Sequence, residues 1–192
     1  MGVIGLSNSL TRNNVAEISF YNLIFSFLIC LIACKDLSFK FLSILFSIAL
    51  FGLIVEWIGV HTSLLFGSYS YGNNLGFKFF EVPFIIGLNW VVLVITTASL
   101  SNLIPTKKIV KVIIASLLML LIDFFIEPVA IQLDYWSWDQ GTIPWFNYFC
   151  WFVIALAMQG FYFKFELAKT NNVHSFLYVI QLLFFITLNI TL

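Results

Sequence analysis

Charge is what this chain has least of. Only 9% of its 192 residues are Asp, Glu, Lys or Arg, against about 25% in an ordinary soluble domain, so a water-soluble fold is excluded. A net charge of zero and the lack of any basic run exclude nucleic acid as a partner. The two histidines, His61 and His174, would face opposite ends of neighbouring apolar stretches, so no metal site is expected. Cys30, Cys34 and Cys150 show no C-x-x-C spacing and read as packing residues. The run Leu31-Ile32-Ala33-Cys34 has the form of a lipoprotein processing site. What precedes it is long, rich in Asn and Ser and carries Glu17, and another apolar stretch follows at once, so it reads as the end of a span. Phosphate-cradling glycine loops, nucleotide fingerprints, nucleophile elbows and zincin motifs are missing too.

What remains is 61% hydrophobic, with Phe at 23 positions. A span needs roughly 20 apolar residues, so the chain has room for about six transmembrane helices joined by short loops. Continuous apolar stretches place them near 18–34, 39–60, 82–104, 109–131, 145–163 and 175–192. The stretches lack the alternation that barrel strands require. The expected fold is therefore all-α, a single integral membrane domain over residues 1–192 with aromatic-rich outer loops. Lys35, Lys40, Lys107, Lys108, Lys111, Lys164 and Lys169, seven of the nine cations, fall in the first, third and fifth loops. The positive-inside rule makes those loops cytoplasmic and predicts a multi-pass cell-membrane protein with both termini extracytoplasmic.

Three carboxylates interrupt the apolar stretches: Glu56, Asp123 and Glu127. An ionisable group at membrane depth costs roughly 3 kcal/mol even on a lenient insertion scale, which makes each a functional candidate. The predicted topology puts all three in the outer half, with Asp123 and Glu127 on one helix face and Asn89, Trp90, Asn147 and Trp151 at similar depth. One polar pocket between helices can hold them. Pro128 removes a donor and frees the Phe124 carbonyl, which suits either a water-filled cavity or a packing kink with Glu127 reaching water. Desolvation favours a protonated acid, and two carboxyls a turn apart resist double ionisation. A neutral acid beside an ionised one serves general acid and base chemistry and proton transport equally. The second loop is dense in aromatics, Phe66-Gly67-Ser68-Tyr69-Ser70-Tyr71-Gly72, and the fourth repeats the theme with Tyr135-Trp136-Ser137-Trp138. Both cap the acid-bearing side, as functional loops or as an aromatic belt at headgroup level.

Taken in order, Glu56-x-x-Gly59, Phe66-Gly67-x-Tyr69-x-Tyr71, Leu75-Gly76, Val82-Pro83, Trp90, Asp123, Glu127-Pro128, Trp136-x-Trp138, Gly141, Pro144, Asn147 and Trp151 resemble the CruF-like carotenoid biosynthesis proteins. These are carotenoid 1,2-hydratases and bisanhydrobacterioruberin hydratases. The likeness covers a core of about residues 56–151. The chain departs from it in having Thr62-Ser63 before the Phe-Gly motif, and Leu65 and Gly87 where proline is usual. The resemblance implies cofactor-independent addition of water to the terminal C1,2 double bond of an acyclic carotenoid end, as in lycopene or γ-carotene. The carotenoid would come from the lipid phase, with contact to other carotenoid enzymes. For that chemistry Asp123 is expected to be the proton donor, because its deeper site favours the neutral form, with Glu127 or Glu56 as the base holding water, and substrate contacts are expected from Tyr69, Tyr71, Asn89, Trp90, Trp136, Trp138, Asn147 and Trp151. A carotenoid end-group cyclase, or a small substrate-binding subunit of a vitamin transporter, are the competing readings.

Overall fold

A computed structural model describes residues 2–8 and 10–192, apart from the side chain of Asn13. Two short helices, α1 (Gly2–Ser7) and α2 (Arg12–Ala16), lead into α3 (Ser19–Ala33). Then come α4 (Phe39–Thr62), α5 (Ile85–Ser101), α6 (Lys108–Gln132), α7 (Trp145–Lys164) and α8 (Asn172–Thr191). Five helical segments, Asn14–Ala33 and α4, α6, α7 and α8, are long and apolar enough to cross a membrane. In hydrocarbon a helix is the one open-ended element that satisfies all its own backbone groups, which is why these unbroken apolar runs fold as helices. Their ends follow local chemistry. The Ser38 hydroxyl accepts from Phe41 N to start α4, and Asn171 accepts from Val173 N to start α8.

The third expected span, near 82–104, is shorter than the sequence suggests. α5 has 17 residues, about 26 Å at 1.5 Å per residue, where a span of the hydrocarbon core needs about 30 Å. It has no need to match the lipid. α5 is the central helix, packed against α3, α4, α6, α7 and α8, and every residue from Trp90 to Ser99 is buried. Its hydroxyls find partners without water: Thr96 donates to the Val92 carbonyl, Thr97 to Leu93, and Ser99 to Asn171. The antiparallel order of α4 to α7 puts the acid-bearing segments at one end of the bundle and Lys40, Lys107, Lys108, Lys111 and Lys164 at the other.

The aromatic-rich loops at the acid end carry two small antiparallel ribbons. β1 (Tyr69–Tyr71) pairs with β4 (Trp136–Trp138), in the register Tyr69 to Trp138, Ser70 to Ser137 and Tyr71 to Trp136. β2 (Lys78–Phe79) pairs with β3 (Val82–Pro83) across a two-residue turn whose residues, Phe80 and Glu81, both have positive φ. The β1–β4 ribbon ties the second outer loop to the fourth. Gly72 N donates to the Tyr135 carbonyl at 2.9 Å, Asp139 N to the Ser68 carbonyl at 3.1 Å, and the Ser68 hydroxyl to the Asp139 carboxylate. A Cβ on Gly72 would sit 2.0 Å from the Asp134 carbonyl oxygen, so only glycine lets the two chains close here.

Candidate active site

Side chains in a strand alternate between faces, and this decides what the ribbon does. Ser70 and Ser137 point outward, with hydroxyls 3.4 Å apart, while Tyr69, Tyr71, Trp136 and Trp138 point down between the helices. Beneath them α4 presents Glu56, α5 presents Ile86, Asn89 and Trp90, α6 presents Asp123, Ile126 and Glu127, and α7 presents Asn147 and Trp151. The spacings of i, i+3 and i+4 on α5 and α6 aim each set at one point. Every residue singled out in the sequence as catalytic or substrate-binding lines the same cavity. Counted at 1.5 Å per residue, Glu56, Glu127, Trp90 and Trp151 lie roughly 8–9 Å inside their helix ends and Asp123 roughly 14 Å.

Glu127 is buried and does not reach water at the surface, and the rings of Tyr69, Tyr71, Trp136 and Trp138 line this cavity. Glu56, Asp123 and Glu127 are 4%, 1% and 2% exposed. Burial to that degree demands partners, and two of the three have them. Glu56 Oε2 accepts from the hydroxyls of Tyr69 (2.6 Å) and Tyr71 (2.8 Å), and its Oε1 from the Trp90 indole N–H (3.2 Å). Burial and the adjoining Glu56 carboxyl hold both phenols well above their ordinary pKa, so each keeps the proton it donates. Glu127 Oε2 accepts from the indoles of Trp136 (3.0 Å) and Trp138 (2.9 Å), and its Oε1 from the Asn147 amide (2.9 Å). Thus β1 supplies two of the three donors to Glu56 and β4 two of the three to Glu127, with Trp90 on α5 and Asn147 on α7 supplying the others. Gly59 belongs to this arrangement too: a Cβ there would lie 2.8 Å from the Tyr69 hydroxyl and 2.9 Å from the Phe66 ring.

Asp123 is different. Both its carboxyl oxygens are buried without a hydrogen-bond partner. No lysine, arginine or histidine lines the cavity among the described residues. Lys78, on β2, directs its ammonium to the Tyr71 carbonyl at 2.6 Å instead of to an acid. Aromatic rings complete the walls. Trp90 and Trp151 stack with centroids 4.1 Å apart, and Tyr69 lies 5.3 Å from Trp138. The cavity measures about 40 Å³, enough for a water or a few, each of which needs roughly 10–15 Å³ of such space.

This geometry is held by a chain that matches the family described as carotenoid biosynthesis protein over residues 18–192. The chain belongs to that family. The match extends well beyond the 56–151 core on which the resemblance was read, taking in α3 and α8. Another protein similar to it is the bisanhydrobacterioruberin hydratase of Haloarcula japonica, 26% identical over 133 residues, covering 65% of this chain and 45% of the relative. This family member therefore spans less than half the length of that curated relative. No solved structure matches it.

What the sequence missed was not a residue but a connection. The Tyr-Ser-Tyr and Trp-Ser-Trp triplets are two period-2 repeats, the signature of strands with one buried face, where aromatic content by itself points only to a loop. Alternation in both triplets, with serine outward, is the signal that could have paired them. Their shared register is what delivers four aromatic donors to two glutamates.

Proposed function

We propose that this protein adds water across the terminal C1,2 double bond of an acyclic carotenoid end of the lycopene or γ-carotene type, giving a tertiary alcohol. The observation that carries the reading is the division of labour among three buried acids in a cavity without a cation. Glu56 and Glu127 each meet three donors, the surroundings of ionised, acceptor-only carboxylates. Asp123 meets none, and three unbalanced charges in so small a space would be prohibitive, so Asp123 is the acid that holds a proton.

The reaction uses that asymmetry. The Asp123 proton adds to C2, the alkene π electrons form the new C–H bond, and a tertiary cation is left at C1. Two fixed carboxylates and the faces of Trp90, Trp136, Trp138 and Trp151 stabilise the cation, each ring contributing up to about 2 kcal/mol when desolvated. Water then forms the C1–O bond and gives its surplus proton to Glu56 or Glu127, from which it returns to Asp123. Atoms balance to one added water, with no redox change. The present cavity fits water and not an isoprenoid end, so substrate binding has to part its walls, and a polyene arriving sideways from lipid fits the membrane setting. The bundle sits in the cell membrane with its lysine-rich end cytoplasmic.

Expression of the chain in a lycopene-producing bacterial host, with pigments read by mass spectrometry, tests the proposal. A gain of one water per reacted end supports it. An isomer of unchanged mass would instead indicate cyclisation, and unaltered lycopene would count against an enzyme of this class.

A further inference from the structure

We propose that Asn89 positions the attacking water, with Glu56 as the base that takes its proton; this assignment rests on the hydration reading above. Most polar groups of the cavity are already engaged. The hydroxyls of Tyr69 and Tyr71, the indole N–H groups of Trp90, Trp136 and Trp138 and the amide of Asn147 already donate to the two glutamates. Among the described residues, three lining side chains that carry a polar group make no hydrogen bond to protein through it: Asp123, Asn89 and Trp151. Asp123 is the proton donor. Trp151 is stacked on Trp90, and an indole can only donate. A side chain that orients a nucleophilic water must accept one of its protons while leaving an oxygen lone pair free for attack. Of the three, Asn89 alone remains to do this, since its amide both accepts and donates, and Asn147, the other amide in the cavity, is fixed by its bond to Glu127 Oε1.

Its place on the helix completes the pair. Asn89 and Trp90 are consecutive on α5 and line the cavity together with Ile86. Trp90 holds Glu56 through Oε1, which accepts that one bond, whereas Oε2 takes both phenols. Glu56 Oε1 therefore keeps an unused lone pair in the cavity that Asn89 also lines. Asp123 projects from α6. The proton donor and the water site thus lie on different walls of one cavity, with the cation formed between them. Asn89 is a positioning residue in this scheme: it acts after protonation and is not needed for it.

That order of events makes the proposal testable by partition. Membranes containing the full-length protein are supplied with lycopene in D2O, and both the hydrated product and the recovered lycopene are analysed for deuterium. In the Asn89→Leu variant the cation still forms, because Asp123 still delivers a deuteron. Lacking oriented water, the cation loses a proton from a neighbouring carbon and returns as labelled alkene. The expected result is a fall in hydrated product on the order of tenfold or more, with deuterium rising in the unhydrated carotenoid. Hydration at the wild-type rate would overturn the proposal. So would loss of hydration and of deuterium exchange together, the signature expected of Asp123→Asn. Should the leucine variant not accumulate, Asn89→Ser is expected to lower the ratio of hydrated to labelled product, and an unchanged ratio would overturn it equally. Wild-type protein that neither hydrates nor labels lycopene would refute the hydratase reading itself.

Discussion

Replacing Asp123 and Glu127 in parallel should separate a group kept for chemistry from one that also holds the fold. Glu127→Leu strips the acceptor from three buried or partly buried donors, on Trp136, Trp138 and Asn147. At about 1–3 kcal/mol for each donor left unmet, the loss is about 3–9 kcal/mol, comparable with the roughly 5–15 kcal/mol that holds a typical domain together. This variant should accumulate poorly and unfold early in detergent. Asp123→Leu breaks no hydrogen bond, because its carboxyl oxygens have none, and it puts two methyl groups in their place without adding a heavy atom, beside a cavity that can take the slightly larger groups. It should be as thermostable as wild type, within about 1 kcal/mol, or more stable, since an unpartnered buried polar group is replaced by an apolar one. Asp123→Asn should behave alike in stability. Both should lose hydration by roughly 10²–10⁴-fold, the usual contribution of a positioned general acid. The assay is thermal unfolding of purified protein beside pigment analysis of the same cells. Equal destabilisation by the Asp123 and Glu127 substitutions, or continued hydration by Asp123→Leu, would refute the division of roles.

Further outcomes follow from the same contacts. Tyr71→Phe removes one of three donors to Glu56 and should lower stability by about 1–3 kcal/mol, measurable as a reduced unfolding temperature. Gly72→Ala should prevent the β1–β4 ribbon from closing and abolish accumulation, whereas Gly160→Ala, where a Cβ meets nothing within 4 Å, should be tolerated; equal expression of the two would contradict the packing. A cysteine at Lys107 should react with a membrane-impermeant thiol reagent only after the cytoplasmic face is opened. Reaction in intact cells would reverse the proposed orientation.

The helical bundle was legible in the linear chain because it depends on one strong and additive property. Runs of about 20 apolar residues leave the backbone no solution other than a helix, and the observed helices follow those runs to within a few residues. The acids were legible for the complementary reason: Glu56, Asp123 and Glu127 are costly in such surroundings, and i, i+4 spacing already put two of them on one face. Two things were not legible. The shortening of α5 reflects its enclosure by five other helices, a property of its neighbours and not of its own residues. The pairing of Tyr69-Ser70-Tyr71 with Trp136-Ser137-Trp138 joins segments some 67 residues apart, and no local preference encodes a partner at that distance. Which acid would be left without a donor could be decided only by that pairing. Position along the helix marked Asp123 only as the deepest of the three, and it was the tertiary fold that saturated the other two and left Asp123 bare.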